Sequence, residues 1–505
     1  MVKYKSPKEY IFLTIISVVG FFIIFFTSRN FGLGTTSDSV EYIVASKTFS
    51  DGLGFLMLNK KPMVWWPPVY PILLGLVSKI LSTDSLYTAR ILNSLIFGMI
   101  VFLSGLLINR NIKSSSLLTG LCAIAILLSF TIIQMALMVL TELLFICLVL
   151  FCFFFLDSYM KKNKTKYLIS LALFVSIAAL TRYIGIILIP WVILNLLVVS
   201  RKNLHEKIKH TLLFLFISCV PILVWIGRNY LHSGTLFGYR LPVEYSLSQN
   251  LVYIINVFSS WYIPFNTRNS PYLLLMLGAI AAAIFIITLR EVLKKHNQIL
   301  ELYPYFIFVS SYLLFIVFLI MNMGIDQASK RLLSPIYIPL TIIIFFIVFE
   351  FSNVVAAKIR TRSAQIFSYA LIGIFILMNF KETQSGIINY SLNGEGFTSR
   401  KWRESKLIAY SQQNKILSSD NIVYSNFPDA IYALTNIKCE KTAGPQKPNE
   451  DVEVYRNVWP KRKNAFVLWF DELQPYLYRI EELQRITKMK TIKNLEDGTI
   501  YFIPD

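Results

Sequence analysis

The chain has 505 residues, of which 55% are hydrophobic and only 15% charged, and its mean hydropathy is +0.57. That composition excludes a soluble globule and specifies a polytopic α-helical membrane protein. The net charge of +20 would suggest nucleic acid in a soluble protein. Here the basic residues sit mostly in short loops between apolar runs, so they read as topology signals and no nucleic-acid partner is expected.

Apolar runs fall near residues 10–27, 86–108, 115–134, 141–157, 167–181, 183–200, 211–227, 271–290, 303–321, 334–350 and 364–380. The first lacks a small-residue cleavage site and reads as a retained anchor. The loops "NRNIK" (109–113), "KKNKTK" (161–166), "RKNLHEKIKH" (201–210), "REVLKKH" (290–296) and "KIRTR" (358–362) are basic and short. The positive-inside rule makes them cytoplasmic, together with "MVKYKSPK" at the N-terminus. Eleven spans then satisfy every loop. The segment "WPPVYPILLGLVSKIL" (66–81) is apolar enough to be a twelfth. Counting it would put the later basic loops outside, so a juxtamembrane or half-buried helix is expected, with Pro67 and Pro68 at its first turn. The chain thus reads as a multi-pass protein of the bacterial inner membrane with its N-terminus inside. Its outer face carries residues 28–85, 228–270, 324–333 and the C-terminal tail.

Residues 1–380 form the expected transmembrane domain, and 381–505 a small extracytoplasmic α/β domain. In that tail, "SRKWRESKLIAYSQQN" (399–414) has helical period, "NIVYSN" (421–426) and "NAFVLWF" (464–470) read as strands, and "YLYRIEELQRI" (476–486) as a helix. "TIKNLEDGTIYFIP" reads as a hairpin turning at Asp497-Gly498. Four of the five cysteines lie in apolar runs and the fifth is Cys439, so neither a disulfide framework nor a zinc spacing is present. No cofactor is expected, and a divalent-metal requirement stays open.

Charged residues recur at the outer ends of the spans. Asp38 and Glu41 follow the first; Glu142 opens the fourth; Arg182 separates the fifth from the sixth; Arg228 ends the seventh; Lys330 and Arg331 precede the tenth. Charge at a helix end is cheap because long side chains snorkel. Glu142 and Arg182 have little loop around them, however, and unpaired burial would be costly, so a common cavity is expected. Asp38 has two compatible readings. Asp-x-x-Glu is a capping box, and a carboxylate fixed at the interface can act as a base. Cations beside it suit a lipid phosphate. A phosphate at the interface with an apolar chain in the bilayer describes a polyprenyl-phosphate lipid.

The segments "SDSVEYIVASKTF", "WWPPVYPILLGL", "YTARILNSLIFGMIVFLSGLLI", "LTELLF", "ALTRYIGIILIP", "WIGRNY" and "RLLSPIYIPL" occur in an order that resembles the C-type glycosyltransferases. More closely they resemble the bacterial branch of the protein O-mannosyltransferase family, which includes undecaprenyl-phosphate aminoarabinose transferases. The resemblance covers roughly residues 10–350 and rests on the ordered set of motifs. It implies that Asp38 matches the essential acidic residue after the first span. Pro67, Pro68 and Tyr70 match a Pro-Pro-x-Tyr segment, Arg182 a mid-chain arginine, and "RNY" (228–230) an Arg-Asn-Tyr. The sequence departs from the pattern in having Asp-Ser where many members have Asp-Glu, so a second carboxylate comes only at Glu41. It also lacks the repeated carbohydrate-binding domain of eukaryotic members, which puts a protein acceptor in doubt.

The expected activity is transfer of a hexose or pentose from a polyprenyl-phosphate donor to a glycan, lipid or protein acceptor on the outer face, with inversion and with Asp38 as base. Glu41, Tyr42, Tyr70, Glu142 and Asn426 are the candidate substrate contacts. Lys60, Lys61, Arg182, Arg228, Lys330 and Arg331 are the candidate phosphate ligands. Asn426 enters through the loop Ser425 to Asp429, which follows a strand where α/β domains tend to place ligands; the alternative is that this loop only builds a turn and caps a helix. Solvated lysines, interfacial Trp65 and Trp66, and snorkelling arginines are the plain alternatives. A transporter or flippase of lipid-linked sugars is the rival function. It would place charges near the midplane and show inverted repeats, neither of which the sequence displays.

Overall fold

The computed structural model describes residues 7–111, 116–199, 202–238, 246–262, 302–322, 329–359, 363–418, 420–445, 450–472, 474 and 476–504. Its helices in chain order are α1 (Pro7–Thr27), α2 (Ser37–Ser50), α3 (Val69–Leu81), α4 (Ser85–Asn111), α5 (Ser116–Leu127), α6 (Phe130–Ala136), α7 (Glu142–Lys162) and α8 (Thr165–Ala179). A 3-10 turn (Tyr183–Ile187) leads into α9 (Leu188–Leu194), followed by α10 (Leu204–Ser233), α11 (Leu247–Tyr262), α12 (Tyr303–Asn322), α13 (Lys330–Ile359) and α14 (Ser363–Asn393).

Seven of these helices are long and apolar enough to cross a bilayer, and eight if α5 and α6, which meet at 52°, count as one broken span. The helix over 165–179 and the helical stretch 183–198 are apolar but shorter. Every expected run falls on a helix except 271–290, which lies outside the described residues. The count of eleven is therefore not reproduced. The difference lies in the two short helices and the run at 271–290. As expected, 66–81 yields only a short helix, α3, whose Leu76 and Ile80 are exposed. At 1.5 Å per residue it cannot cross.

Apolar side chains that face outward explain why these helices need lipid. On α1, Ile11, Ile15, Val18, Phe22 and Phe26 are exposed; on α10, Leu212, Phe216, Leu223 and Val224 are. Such continuous apolar faces mark a membrane surface. Inward, α1 packs on α4. They approach closely at Gly98, where a β-carbon would lie 2.8 Å from the carbonyl of Ser17, and the Ser17 hydroxyl donates to the Gly98 carbonyl at 2.8 Å.

After α14 come α15 (Arg400–Arg403), α16 (Lys406–Gln413), β1 (Val423–Ser425), α17 (Pro428–Thr435), β2 (Glu440–Lys441), β3 (Ala465–Phe470), α18 (Ile480–Ile486), β4 (Lys490–Leu495) and β5 (Gly498–Ile503). The five strands form one sheet in the order β2-β1-β3-β5-β4. The first three are parallel, and β5 runs antiparallel to both β3 and β4. The last long helix runs through residue 380 to Asn393 before this sheet begins.

Three extended segments tie the sheet-bearing unit to the helices immediately before α2. Gly34 donates to the Leu137 carbonyl at 2.8 Å and accepts from Val139 at 2.9 Å. On its other side, the Phe397 amide donates to Thr35 at 2.9 Å and the Thr398 hydroxyl to Leu33 at 2.8 Å. Gly396 takes φ +62° there, and a β-carbon would meet the Thr35 carbonyl at 2.0 Å. Only glycine permits that approach at that backbone angle.

Candidate active site

Residues 31–35 are thus clamped from two sides, and α2 starts at a fixed point. Its N-cap is Thr36: the Ser39 amide donates to the Thr36 hydroxyl at 3.4 Å, and the Thr36 amide donates to the Ser39 hydroxyl at 2.9 Å. This corrects the capping reading of Asp38 and Glu41. Thr-x-x-Ser closes the box two residues earlier, which leaves both carboxylates free for other partners. Asp38, in the first turn, still gains from the helix dipole.

The partner of Asp38 is Arg331, whose Nη2 lies 2.6 Å from Oδ2. Arg331 occupies the second position of α13, where a cation opposes the helix dipole. Two carboxylates offset that cost, because the Nε of Arg331 donates to Oε1 of Glu142. Glu142 opens α7, with Thr141 as its N-cap, and is completely buried. The same Oε1 pairs with Nη1 of Arg182, which also donates to the Thr141 hydroxyl at 3.1 Å. Four side chains from four elements form a chain: Asp38, Arg331, Glu142, Arg182. Two negative and two positive charges balance. Solvent access rises from 0% at Glu142 and 17% at Arg182 to 28% at Asp38 and 31% at Arg331, so the Asp38 end is the open one.

Inside the cluster, Oε2 of Glu142 and Nε of Arg182 are buried without a hydrogen-bond partner. Tyr42 and Tyr70 line it, both fully buried, with ring centroids 5.5 Å apart in a T-shape. The Tyr70 hydroxyl is likewise buried and unbonded. Trp66 stacks edge-on against Tyr42 at 5.8 Å.

Glu41 lies one turn beyond Asp38 on α2 and accepts a hydrogen bond from the Leu58 amide at 2.8 Å. Burial pushes its carboxyl up to about 7; Asp429 and Asp38 add to the rise, and Lys438 and the Leu58 amide oppose it. Glu41 therefore pins the loop 51–66. From the opposite side the same loop is held by α10 and the 3-10 turn. Arg228 donates to the Met63 carbonyl and lies over the Trp225 ring. Tyr183 donates to the Val64 carbonyl at 3.0 Å and accepts from Asn229 and Trp225.

The remaining expected residues are placed elsewhere. Lys60 and Lys61 stand exposed at the tip of the loop, Lys60 in a left-handed turn conformation. Lys330 is partly exposed at the start of α13. Asn426 is buried inside the C-terminal unit: its Nδ2 donates to the Phe470 carbonyl at 2.8 Å and its Oδ1 accepts from the Phe470 amide at 2.9 Å. It is a strut joining the end of β1 to β3, and not a group open to an acceptor. The other end of that loop lies nearer the site, where the Asp429 carboxylate is close enough to feel the charge of Asp38 and to act on Glu41. The clamp formed by Tyr183, Asn229 and Trp225 has no charge signature, so reading charged span ends misses it. Among the described residues no group of three His, Cys, Asp or Glu side chains is arranged to hold a metal.

Residues 65–225 match the model of the dolichyl-phosphate-mannose-protein mannosyltransferase family. No curated protein matches the chain in sequence. In structure the chain is similar to ArnT from Cupriavidus metallidurans, at 11% identity, over 96% of this chain and 97% of that one. The TM-score is 0.61 to the apo state and 0.62 to the form bound to undecaprenyl phosphate. It is also similar to the Archaeoglobus fulgidus oligosaccharyltransferase, at 11% identity, over 91% of this chain and 68% of that one, with a TM-score of 0.54. Along nearly its whole length the chain is a helical membrane protein with the fold of ArnT, and over residues 65–225 it matches the mannosyltransferase family model.

Proposed function

We propose that the protein is an integral-membrane glycosyltransferase that moves a sugar from a polyprenyl-phosphate donor to a hydroxyl-bearing acceptor on the extracytoplasmic face. The observation that carries this reading is the Asp38, Arg331, Glu142, Arg182 chain at one end of the spans. In the reaction, the acceptor oxygen bonds to the anomeric carbon, the carbon–oxygen bond to phosphate breaks, and the phosphate leaves with its electron pair. Asp38, at the open end, takes the acceptor proton. The exposed side of the Arg331 guanidinium stabilises the departing phosphate. Glu142 holds both arginines in one orientation, so they need no reorganisation as charge develops. Direct displacement inverts the anomeric centre. ArnT, whose fold this chain shares, binds undecaprenyl phosphate, which supports a polyprenyl-phosphate donor.

The test is turnover in vesicles. Purified protein is given synthetic undecaprenyl-phosphate sugars and simple glycoside acceptors, and free undecaprenyl phosphate is quantified by mass spectrometry. Glycan profiles of a deletion strain then identify the natural sugar. Donor that stays intact with every sugar tested, in protein shown to be folded, overturns the reading.

A further inference from the structure

Trp65 is 41% exposed, yet its neighbours hold it in place on several sides. Before it in the chain, the Met63 carbonyl accepts from Arg228 and the Val64 carbonyl from Tyr183. After it, Trp66 packs edge-on against Tyr42, and the Val69 amide donates to the Leu180 carbonyl at 3.0 Å. A second segment comes up beside the indole. The Nδ2 of the buried Asn229 lies 3.4 Å from the Val64 carbonyl and 3.2 Å from the Leu236 carbonyl, so one amide joins the two stretches of backbone. Phe237 packs edge-on against Tyr183. Gly238 then takes φ +78° directly against Trp65, where a β-carbon would lie 2.3 Å from Cδ1 and 2.9 Å from Nε1 of the indole. Only glycine lets the backbone come so close at that angle.

An exposed tryptophan in a membrane protein has an ordinary explanation, as an anchor at the membrane interface. That role asks little of the ring's orientation, because the headgroup layer is fluid. It gives no reason for a left-handed glycine pressed against the indole, or for an asparagine that joins its two supports. A ring held in one orientation with much of its surface open is what a flat ligand needs, because the platform is ordered before the ligand arrives. Among the described residues the indole N–H donates to nothing, and donation is all it can do. A pyranose matches both properties. Its C–H face suits the aromatic surface, and its hydroxyls can accept from the N–H. The rings also lead to the site. Trp65 meets Trp66 with centroids 5.9 Å apart, and Trp66 meets Tyr42 at 5.8 Å. Tyr42 lies within reach of the charges of Asp38, Glu142, Arg182 and Arg331.

We propose that Trp65 is an acceptor subsite: it stacks a pyranose ring of the acceptor, one residue removed from the sugar that is modified. Two rings separate it from the Asp38 cluster, so the stacked sugar is not the one whose hydroxyl meets Asp38. The acceptor is then a glycan of at least two residues. This rests on the glycosyltransferase reading above and names the acceptor class for it.

The test is steady-state kinetics in the vesicle assay with acceptors of graded length: methyl glycosides of glucose and galactose and of their di- and trisaccharides. In the wild type, the KM for acceptor should fall about tenfold from the monosaccharide to the disaccharide, the scale of one aromatic stack. Trp65→Ala should abolish that gain and leave the KM for donor where it was. Trp65→Phe keeps a smaller face without the N–H and should retain part of the gain. Gly238→Ala pushes on the indole, so it should mimic Trp65→Ala with the ring still present, and should add nothing in the Trp65→Ala background. If Gly238→Ala is not recovered folded, the two variants at the exposed position 65 carry the test. No gain from a second sugar in the wild type, the same gain in Trp65→Ala, or a Trp65→Ala defect confined to thermal stability or membrane insertion, as for an anchor, overturns the inference while transfer by the wild type still stands. No transfer by the wild type overturns the function itself.

Discussion

Asp38 and Arg331 are 293 positions apart in the chain and meet at 2.6 Å. The contact joins α2, which follows the first span, to the start of α13, and through Glu142 it reaches α7 and Arg182. A carboxylate held by a guanidinium that is itself shared with a second carboxylate stays oriented, as a base needs to be.

Asp38→Asn tests that role. The amide keeps the shape and can still accept from Arg331, and Thr36 caps the helix without it. Folded yield and thermal stability should change little. Turnover should fall by about 10²–10⁴-fold, the usual contribution of a positioned base. A variant with near-normal turnover removes Asp38 from the mechanism.

Much of this site is legible in the sequence, for a physical reason. Asp38, Glu142, Arg182 and Arg331 stand at the ends of apolar runs, where an ionised side chain needs a partner or water. The pairing is not legible, because it depends on how helices far apart in sequence pack. Arg228 has the same signature as Arg182, yet it is bound to a carbonyl of the first loop. Asp38-x-x-Glu41 satisfies the capping pattern as well as Thr36-x-x-Ser39 does, and only the place where the chain turns helical separates them. In the tail, alternation and turn residues indicate the strands. The burial of Asn426 could not be read, since a polar residue after a strand serves equally well as a ligand contact or as a strut.

Glu142 should matter for folding as much as for rate. It is fully buried and neutralises two arginines. Glu142→Ala leaves Arg182 without its anion and Arg331 with Asp38 alone, a change that costs about 3–5 kcal/mol for buried pairs. Glu142→Gln keeps an oxygen at the same place and should lose less. Thermal unfolding in detergent checks the order: wild type, then Gln, then Ala. If Glu142→Ala melts with the wild type, the pairing contributes nothing to the fold.

Glu41 sets a pH dependence. Its folded titration near 7 lies above the ordinary 4.5, chiefly through burial. A raised carboxyl binds its proton more tightly when folded. Its contribution to stability is therefore fully present below about 4.5 and is lost as pH rises through about 7. Melting temperature should decline between pH 5 and pH 8 more steeply in the wild type than in Glu41→Gln, which keeps an acceptor for Leu58 and cannot ionise. Equal slopes in the two proteins would show that Glu41 titrates as an ordinary carboxylate.

Arg331 and Arg228 should separate under mutation although both stand near the end of a span. Arg331 bridges two carboxylates with two different nitrogens, Nε to Glu142 and Nη2 to Asp38. Lysine has one nitrogen and cannot reproduce a planar fork. Arg331→Lys should lower kcat by about tenfold to a hundredfold through misplacement of Asp38, and should raise the KM for donor if the exposed side of the guanidinium meets the phosphate. Arg228 instead holds the Met63 carbonyl and stacks on Trp225. Arg228→Ala should loosen the loop 51–66, seen as a lower melting temperature and faster proteolysis there, with a loss of about 1.5–3 kcal/mol, as for a hydrogen bond from a charged group. Protein that remains folded should keep the wild-type KM for donor. A donor KM raised as much by Arg228→Ala as by Arg331→Lys would make Arg228 a phosphate ligand and not a strut.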